Sequence, residues 1–176
     1  MTTGEQPRAV VLVEDMYEDL ELQYPRLRLI EAGYSVSLAG PEKGSVYTSK
    51  HGYPQVADST FNEITAREVQ VLIVPGGYAP DKLRRYPKCL QLVRAVHEHG
   101  GVIGFICHGG WVPISAGIVK GKRVTSVSAI RDDLVNAGAE WVDEPCVVDG
   151  NIVTAQIPKD LPAFMQAILT AAGGLG

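Results

Sequence analysis

Residues 101–117, G-V-I-G-F-I-C-H-G-G-W-V-P-I-S-A-G, constrain the fold more than any other stretch. Every position before the cysteine is apolar or Gly, which predicts a strand buried on both faces of a parallel sheet. Trp111 to Gly117 predicts a short helix, with Pro113 tolerated in its first turn. A thiol, Cys107, therefore stands where a central strand turns sharply into a helix. In open α/β sheets, ligands bind at that carboxyl edge of the strands. A helix N-terminus also favours negative charge, which predicts a lowered thiol pKa. The pattern is close to a nucleophile elbow, in which small residues flank the reactive side chain. Gly109 fits that pattern and bulky Phe105 does not. A free cysteine filling core is the competing expectation.

The flanking segments carry the same alternation. Ala9–Val13 is a continuous apolar strand ending at Glu14-Asp15, and Glu18–Ala32 is a helix with Leu20, Tyr24, Leu27 and Ile30 at helical spacing. Pro25 must kink that helix or begin a fresh turn. Strands follow at Tyr34–Ala39 and Gln70–Val74, with a hairpin excursion over 44–57 and a short helix over 61–69. Helices are predicted at 79–85, 87–99, 129–137 and 160–172, and short strands at 122–127, 140–142 and 146–155. Strands alternating with helices predict an α/β, doubly wound parallel sheet. One domain over 9–172, preceded by a flexible tail over 1–8, suits the 176 residues.

Several function classes are disfavoured. A net charge of −4 gives no basic footprint for nucleic acid. No apolar run approaches the roughly 20 residues of a membrane span. The polar N-terminus lacks a signal-peptide core, and the three cysteines (Cys89, Cys107, Cys146) form no C-x-x-C, so a reducing cytoplasm is expected. The nucleotide and zinc motifs G-x-x-x-x-G-K-[ST], G-x-G-x-x-G and H-E-x-x-H are missing, and no metal or cofactor is expected.

Three features fall at strand ends that a parallel sheet could gather into one crevice: the acids of Glu14 to Glu21, Gly76-Gly77 with Asp81, and Cys107-His108. A thiol, an imidazole, a carboxyl group and backbone N–H groups are the parts covalent thiol catalysis requires. The N–H groups of Gly77 and His108 are candidates for holding an oxyanion, and Trp111 for lining a pocket. The bland alternative for E-D-L-E is a solvated helix start, since acids suit that end of the macrodipole.

The ordered set E-D-L-E-L-Q-Y-P (Glu18–Pro25), K-H-G-Y (Lys50–Tyr53), V-P-G-G-Y-A-P-D (Val74–Asp81), I-C-H-G (Ile106–Gly109), I-S-A-G (Ile114–Gly117) and R-D-D-L-V-N-A-G-A-E-W-V-D (Arg131–Asp143) resembles the ThiJ/PfpI family, within the class I glutamine amidotransferase-like fold, and its PfpI-type branch in particular. The resemblance runs from about Ala9 to Leu169. It implies a flavodoxin-like sandwich with Cys107 on a strained elbow and His108 as the neighbouring base. It implies that Glu18, protonated, donates a hydrogen bond to the sulfur. It implies a third acid from an adjacent subunit, matched here by Asp81, and hence a homo-oligomer, dimer or hexamer. Family activities include peptidase, cofactor-independent glyoxalase, deglycase, chaperone and isocyanide hydratase. Two positions depart from the pattern: Asp81 is one methylene shorter than the usual Glu, and Val127 stands where relatives often carry an aromatic residue or His and has no hydrogen-bonding group.

The resemblance yields three expectations. The first is a cytoplasmic cysteine enzyme acting on a reactive carbonyl as glyoxalase or deglycase, with Cys107 assisted by Glu18 and His108. The second is a cysteine peptidase built on Cys107, His108 and Asp81. The third is a redox sensor or holdase in which Cys107 oxidises and turns nothing over.

Overall fold

A computed structural model describes residues 6–173. Its core is a seven-stranded sheet built from β1 (Arg8–Leu12), β2 (Ser35–Gly40), β5 (Ser59–Thr60), β6 (Val69–Val74), β7 (Val102–Ile106), β10 (Cys146–Asp149) and β11 (Ile152–Ala155). Their order is β10-β11-β7-β6-β1-β2-β5, parallel except for the β10–β11 hairpin. Val71–Val74, Val102, Ile103, Phe105 and Ile106 are buried in the two middle strands. Each such large side chain contributes about 1.5–3 kcal/mol on burial, which is why continuous apolar runs settle at the centre of the sheet.

Helices cover both faces. α1 (Asp19–Glu31) and α6 (Leu161–Ala171) pack together on one side. On the other lie α3 (Pro87–Glu98) and α4 (Trp111–Ala116), flanked by α2 (Ala79–Leu83) and α5 (Arg131–Asn136). The chain runs outward from β1 to β2, then returns to β6 on the opposite side of β1. That reversal is a topological switch point, and it opens a crevice beyond the carboxyl ends of β1, β6 and β7.

Three expectations differ in detail. Over 61–69 only Ala66–Glu68 is helical, as a single 3₁₀ turn. β8 (Arg123–Val124) and β9 (Glu140–Trp141) pair with each other outside the main sheet, as do β3 (Val46–Thr48) and β4 (Pro54–Val56). The tail predicted over 1–8 ends sooner, because Arg8 already pairs with Ser35 and Val69; residues 1–5 lie outside the described part.

α1 continues through Pro25, whose missing N–H removes the hydrogen bond that would return to the Glu21 carbonyl. Its buried face carries Glu21, Leu22, Pro25 and Leu29. Leu20 and Leu27, each 56% exposed, point away from the core with Tyr24 and Ile30. The apolar spacing that predicts the helix thus marks its outer stripe.

Candidate active site

Cys107 follows β7 directly and adopts φ 59°, in the left-handed region. That conformation costs an L-residue roughly 1–2 kcal/mol and is rare outside Gly, Asn and Asp. The turn continues as a 3₁₀ segment, Cys107–Gly110, before α4 begins. Gly109 is buried in that turn, where a Cβ would stand 2.5 Å from the Val74 carbonyl oxygen. The thiol therefore projects into the crevice instead of the core.

The imidazole of His108 comes back to the sulfur, with Nδ1 3.3 Å from Sγ. Burial, aided by Lys50, holds the His108 pKa below its ordinary value, so the ring is neutral at pH 7 and can accept a proton. The thiol departs from the expected depression. Burial pushes Cys107 up to about 12, and the nearby Glu21 adds to it, against the backbone N–H groups of His108 and Gly77, which face the sulfur, and against Lys50. Desolvation outweighs the backbone donors because the sulfur sits low in the crevice and not on its rim.

The acid beside the thiol is Glu21, not Glu18. Glu18 is the N-cap of α1, where its Oε2 accepts the Glu21 N–H at 2.9 Å. Glu21, one turn further on, is 0% exposed. Its Oε2 accepts the Gly76 N–H at 2.7 Å, while its Oε1 is buried without a hydrogen-bond partner beside the Cys107 thiol. Burial first, and the Glu18 carboxylate second, raise the Glu21 pKa to about 8. Glu21 is therefore mostly protonated at neutral pH and able to donate. The sequence carried a sign of this: 21, 25 and 29 are spaced to share one helical face, so Glu21 lies on the stripe with Pro25 and Leu29.

Gly76 and Gly77 bring the end of β6 against these groups. A Cβ at Gly76 would lie 2.4 Å from Glu21 Oε2 and 2.9 Å from Cys107 Cβ. Gly77, at φ 78°, passes so close to residues 16–18 that a Cβ would meet the Met16 carbonyl oxygen at 2.4 Å. Met16 is itself left-handed, at φ 68°. Its carbonyl accepts the N–H groups of Tyr78 and Ala79, and its own N–H donates to the Thr48 carbonyl. These contacts knit the segments after β1, β3 and β6 into one rim.

A cavity of about 480 Å³ opens over the thiol, lined by Met16, Lys50, Tyr78, Trp111 and Pro158 with Glu18, Glu21, Gly77, Cys107 and His108. That volume suits a small-molecule ligand. Trp111 is held by its Nε1–H to Asp133 Oδ2 at 2.8 Å, and its ring lies 5.2 Å from that of His108. Met16 and Pro158 were not singled out from sequence, and Lys50 and Tyr78 stand there only inside the motif pieces K-H-G-Y and V-P-G-G-Y-A-P-D, with no role assigned. Asp81, on α2, is engaged by Arg85 one helical turn away. Glu18, Asp19 and His51 place oxygen and nitrogen donors within 4.8 Å of one another, a grouping that could hold a metal ion, although Asp19 is already committed to Ser49 Oγ and His51 Nδ1. Among the described residues no helix is long and apolar enough to cross a membrane.

Comparison with known proteins gives the family. The model of the DJ-1/PfpI family matches residues 7–171. The chain is 44% identical to the deglycase PfpI of Pyrococcus furiosus over 159 residues, covering 90% of this chain and 95% of that protein. It is 35% identical to protein/nucleic acid deglycase 2 of Escherichia coli over 168 residues, covering 94% and 98%. A crystal structure of a two-domain protein from Anabaena variabilis, with DJ-1/ThiJ/PfpI-like and ferritin-like domains, superposes with a TM-score of 0.94 at 38% identity, over 96% of this chain and 49% of that one. With the match running from strand β1 into helix α6, the chain belongs to the DJ-1/PfpI family.

Proposed function

We propose that the protein is a cysteine-dependent enzyme that acts on small reactive carbonyl compounds, as a glyoxalase or deglycase. The observation that carries this reading is the meeting of Cys107 Sγ with a neutral imidazole and a protonated, buried carboxyl at the base of a cavity. The deglycase names of relatives in Pyrococcus furiosus and Escherichia coli support it.

In the first step the Cys107 sulfur adds to an aldehyde carbon, and the S–H proton passes to His108 Nδ1. The carbonyl π pair moves onto oxygen, which takes the Glu21 proton, giving a hemithioacetal. For a 2-oxoaldehyde the Glu21 carboxylate then removes the C1 hydrogen as a proton. The released electron pair makes an enediol, the C2 oxygen taking a proton from His108. Proton return to C2 and loss of the C1 hydroxyl proton leave a thioester. Water cleaves that bond, releasing a 2-hydroxy acid and restoring the thiol. C1 is oxidised while C2 is reduced, so the sequence needs no outside electron donor or acceptor.

A peptidase would instead need an acid to orient His108 from its far side. We propose that Asp81 of a neighbouring copy is that group in an assembled homo-oligomer; the outward apolar stripe Leu20, Tyr24, Leu27 and Ile30 supports assembly. The product distinguishes the readings. Purified protein is incubated with methylglyoxal or with an unblocked peptide, beside a Cys107→Ala control. Lactate that depends on Cys107 is expected. New peptide termini without lactate would favour the peptidase, and no Cys107-dependent product from either would sink both.

A further inference from the structure

Among the described residues lining the thiol cavity, Lys50 is the one that carries a full positive charge; the others are apolar, acidic or neutral. It belongs to the tight turn between β3 and β4, where its backbone N–H donates to the Tyr17 carbonyl and the neighbouring His51 is tied to Asp19 at 2.7 Å. The turn is thus fastened to the start of α1, and the base of the Lys50 side chain with it. Nζ lies 4.0 Å from Glu18 Oε1, too long for a hydrogen bond, and the side chain is 40% exposed. The opposing Glu18 carboxylate is spent on the α1 N-cap through its other oxygen. All three Lys50 N–H groups remain able to meet a ligand. The ammonium is felt at the base of the cavity too: it adds to the lowering of the His108 pKa and opposes, without overcoming, the rise that burial gives Cys107 and Glu21.

We propose that Lys50 selects substrates that carry an anionic group close to the reacting carbonyl, a carboxylate above all, by pairing with that group while the carbonyl carbon meets Cys107. This deepens the carbonyl reading given above and rests on it. 2,3-Dioxopropanoate, a 2-oxoaldehyde with a carboxylate on its ketone carbon, is the simplest molecule of that class, and the steps above would convert it to 2-hydroxymalonate. Met16, Tyr78, Trp111 and Pro158, which also line the cavity, are uncharged, and the Arg84 guanidinium over the Trp111 ring is tied to Ser115 Oγ and does not line it, so the charged end of the substrate has one place to go. Glu18 opposes the anion, and its effect must be opposite in sign to that of Lys50.

Two alkylating agents test the charge preference without any turnover. Iodoacetate and iodoacetamide both give a thioether at Cys107 with loss of iodide, the thiol proton passing to buffer, and differ in charge. A change in thiol acidity affects both alike, so the ratio of their rates isolates the anion preference. At low ionic strength Lys50→Met is expected to lower the iodoacetate:iodoacetamide ratio about tenfold, as one charge a few ångströms away does in a half-wet site. Lys50→Arg should keep the ratio, and Glu18→Gln should raise it. The 2,3-dioxopropanoate:methylglyoxal ratio of kcat/KM should follow the same order. An alkylation ratio unmoved by Lys50→Met would overturn the proposal. If neither aldehyde is turned over while the alkylation ratio still tracks Lys50, the anion site stands and the carbonyl enzyme reading falls.

Discussion

Replacing Glu21 with Gln separates the charge of this acid from its shape. The Gly76 N–H that Glu21 Oε2 accepts at 2.7 Å can be accepted equally by an amide oxygen. Titration is what changes. Burial, with help from Glu18, moves the Glu21 pKa from its ordinary 4.5 to about 8. Between those two values the native protein holds a proton that the unfolded chain has lost. Stability must then fall as pH rises through that window, by about 1.4 kcal/mol per pH unit. The accumulated cost reaches on the order of 4 kcal/mol near pH 8, and the glutamine variant does not incur it. Other titrating groups are common to both proteins. One is Asp19, whose pKa burial raises but hydrogen bonds from Ser49 and His51 bring below its ordinary value. The difference between the two proteins therefore isolates Glu21. Urea denaturation at pH 5 and pH 8 is the assay. The stability of Glu21→Gln relative to wild type should rise by roughly 3 kcal/mol from pH 5 to pH 8. The same variant should lose most turnover of an oxoaldehyde, since an amide cannot hand a proton to the developing oxygen. A stability difference that stays flat, or falls, with rising pH would refute a protonated native Glu21.

Three shorter expectations concern the strained turn and its thiol. Cys107→Gly should be more stable than Cys107→Ala by about 1 kcal/mol in urea, because only the alanine keeps a Cβ at φ 59°; equal stabilities would mean the backbone relaxes. Gly77→Ala should cost 2 kcal/mol or more, roughly, by the same assay, since its Cβ would meet backbone atoms at 2.4–2.8 Å; a near-neutral result would show that the rim can shift. In pulsed alkylation with mass mapping Cys107 should label before Cys89, which is fully buried in α3, and the reverse order would count against Cys107 as the reactive thiol.

Much of the framework was legible because strand and helix periods are short and local. The apolar runs at Ala9–Val13, 70–74 and 101–106 each mark a central strand, and Gly33 and Gly138 follow the helices they end. The meeting of the β1, β6 and β7 ends could be anticipated from alternation alone. What remained hidden depends on which side of a helix faces inward. Leu20, Tyr24, Leu27 and Ile30 announce a helix and then face outward, so the pattern gave no sign against Glu18, the acid that the resemblance implied, and none for Glu21 on the opposite stripe. The direction of the Cys107 pKa was missed for a related reason. A helix N-terminus can be read along the chain, but the desolvation that opposes it comes from residues distant in sequence. Lys50, Tyr78 and Pro158 meet over the thiol only because separate loops converge there.

The paired left-handed residues Met16 and Gly77 bear on how such a pocket can change its choice of molecule. The Met16 backbone bonds to Thr48, Tyr78 and Ala79, so the loops that frame the thiol are fastened main chain to main chain. The side chains of Met16 and Tyr78 take no part in that fastening. Met16, Tyr78 and Trp111 can therefore be exchanged for larger, smaller or more polar residues while the spacing of sulfur, imidazole and carboxyl stays fixed. New substrates are reached by redecorating a rigid vestibule, with the reacting groups beneath it left as they are.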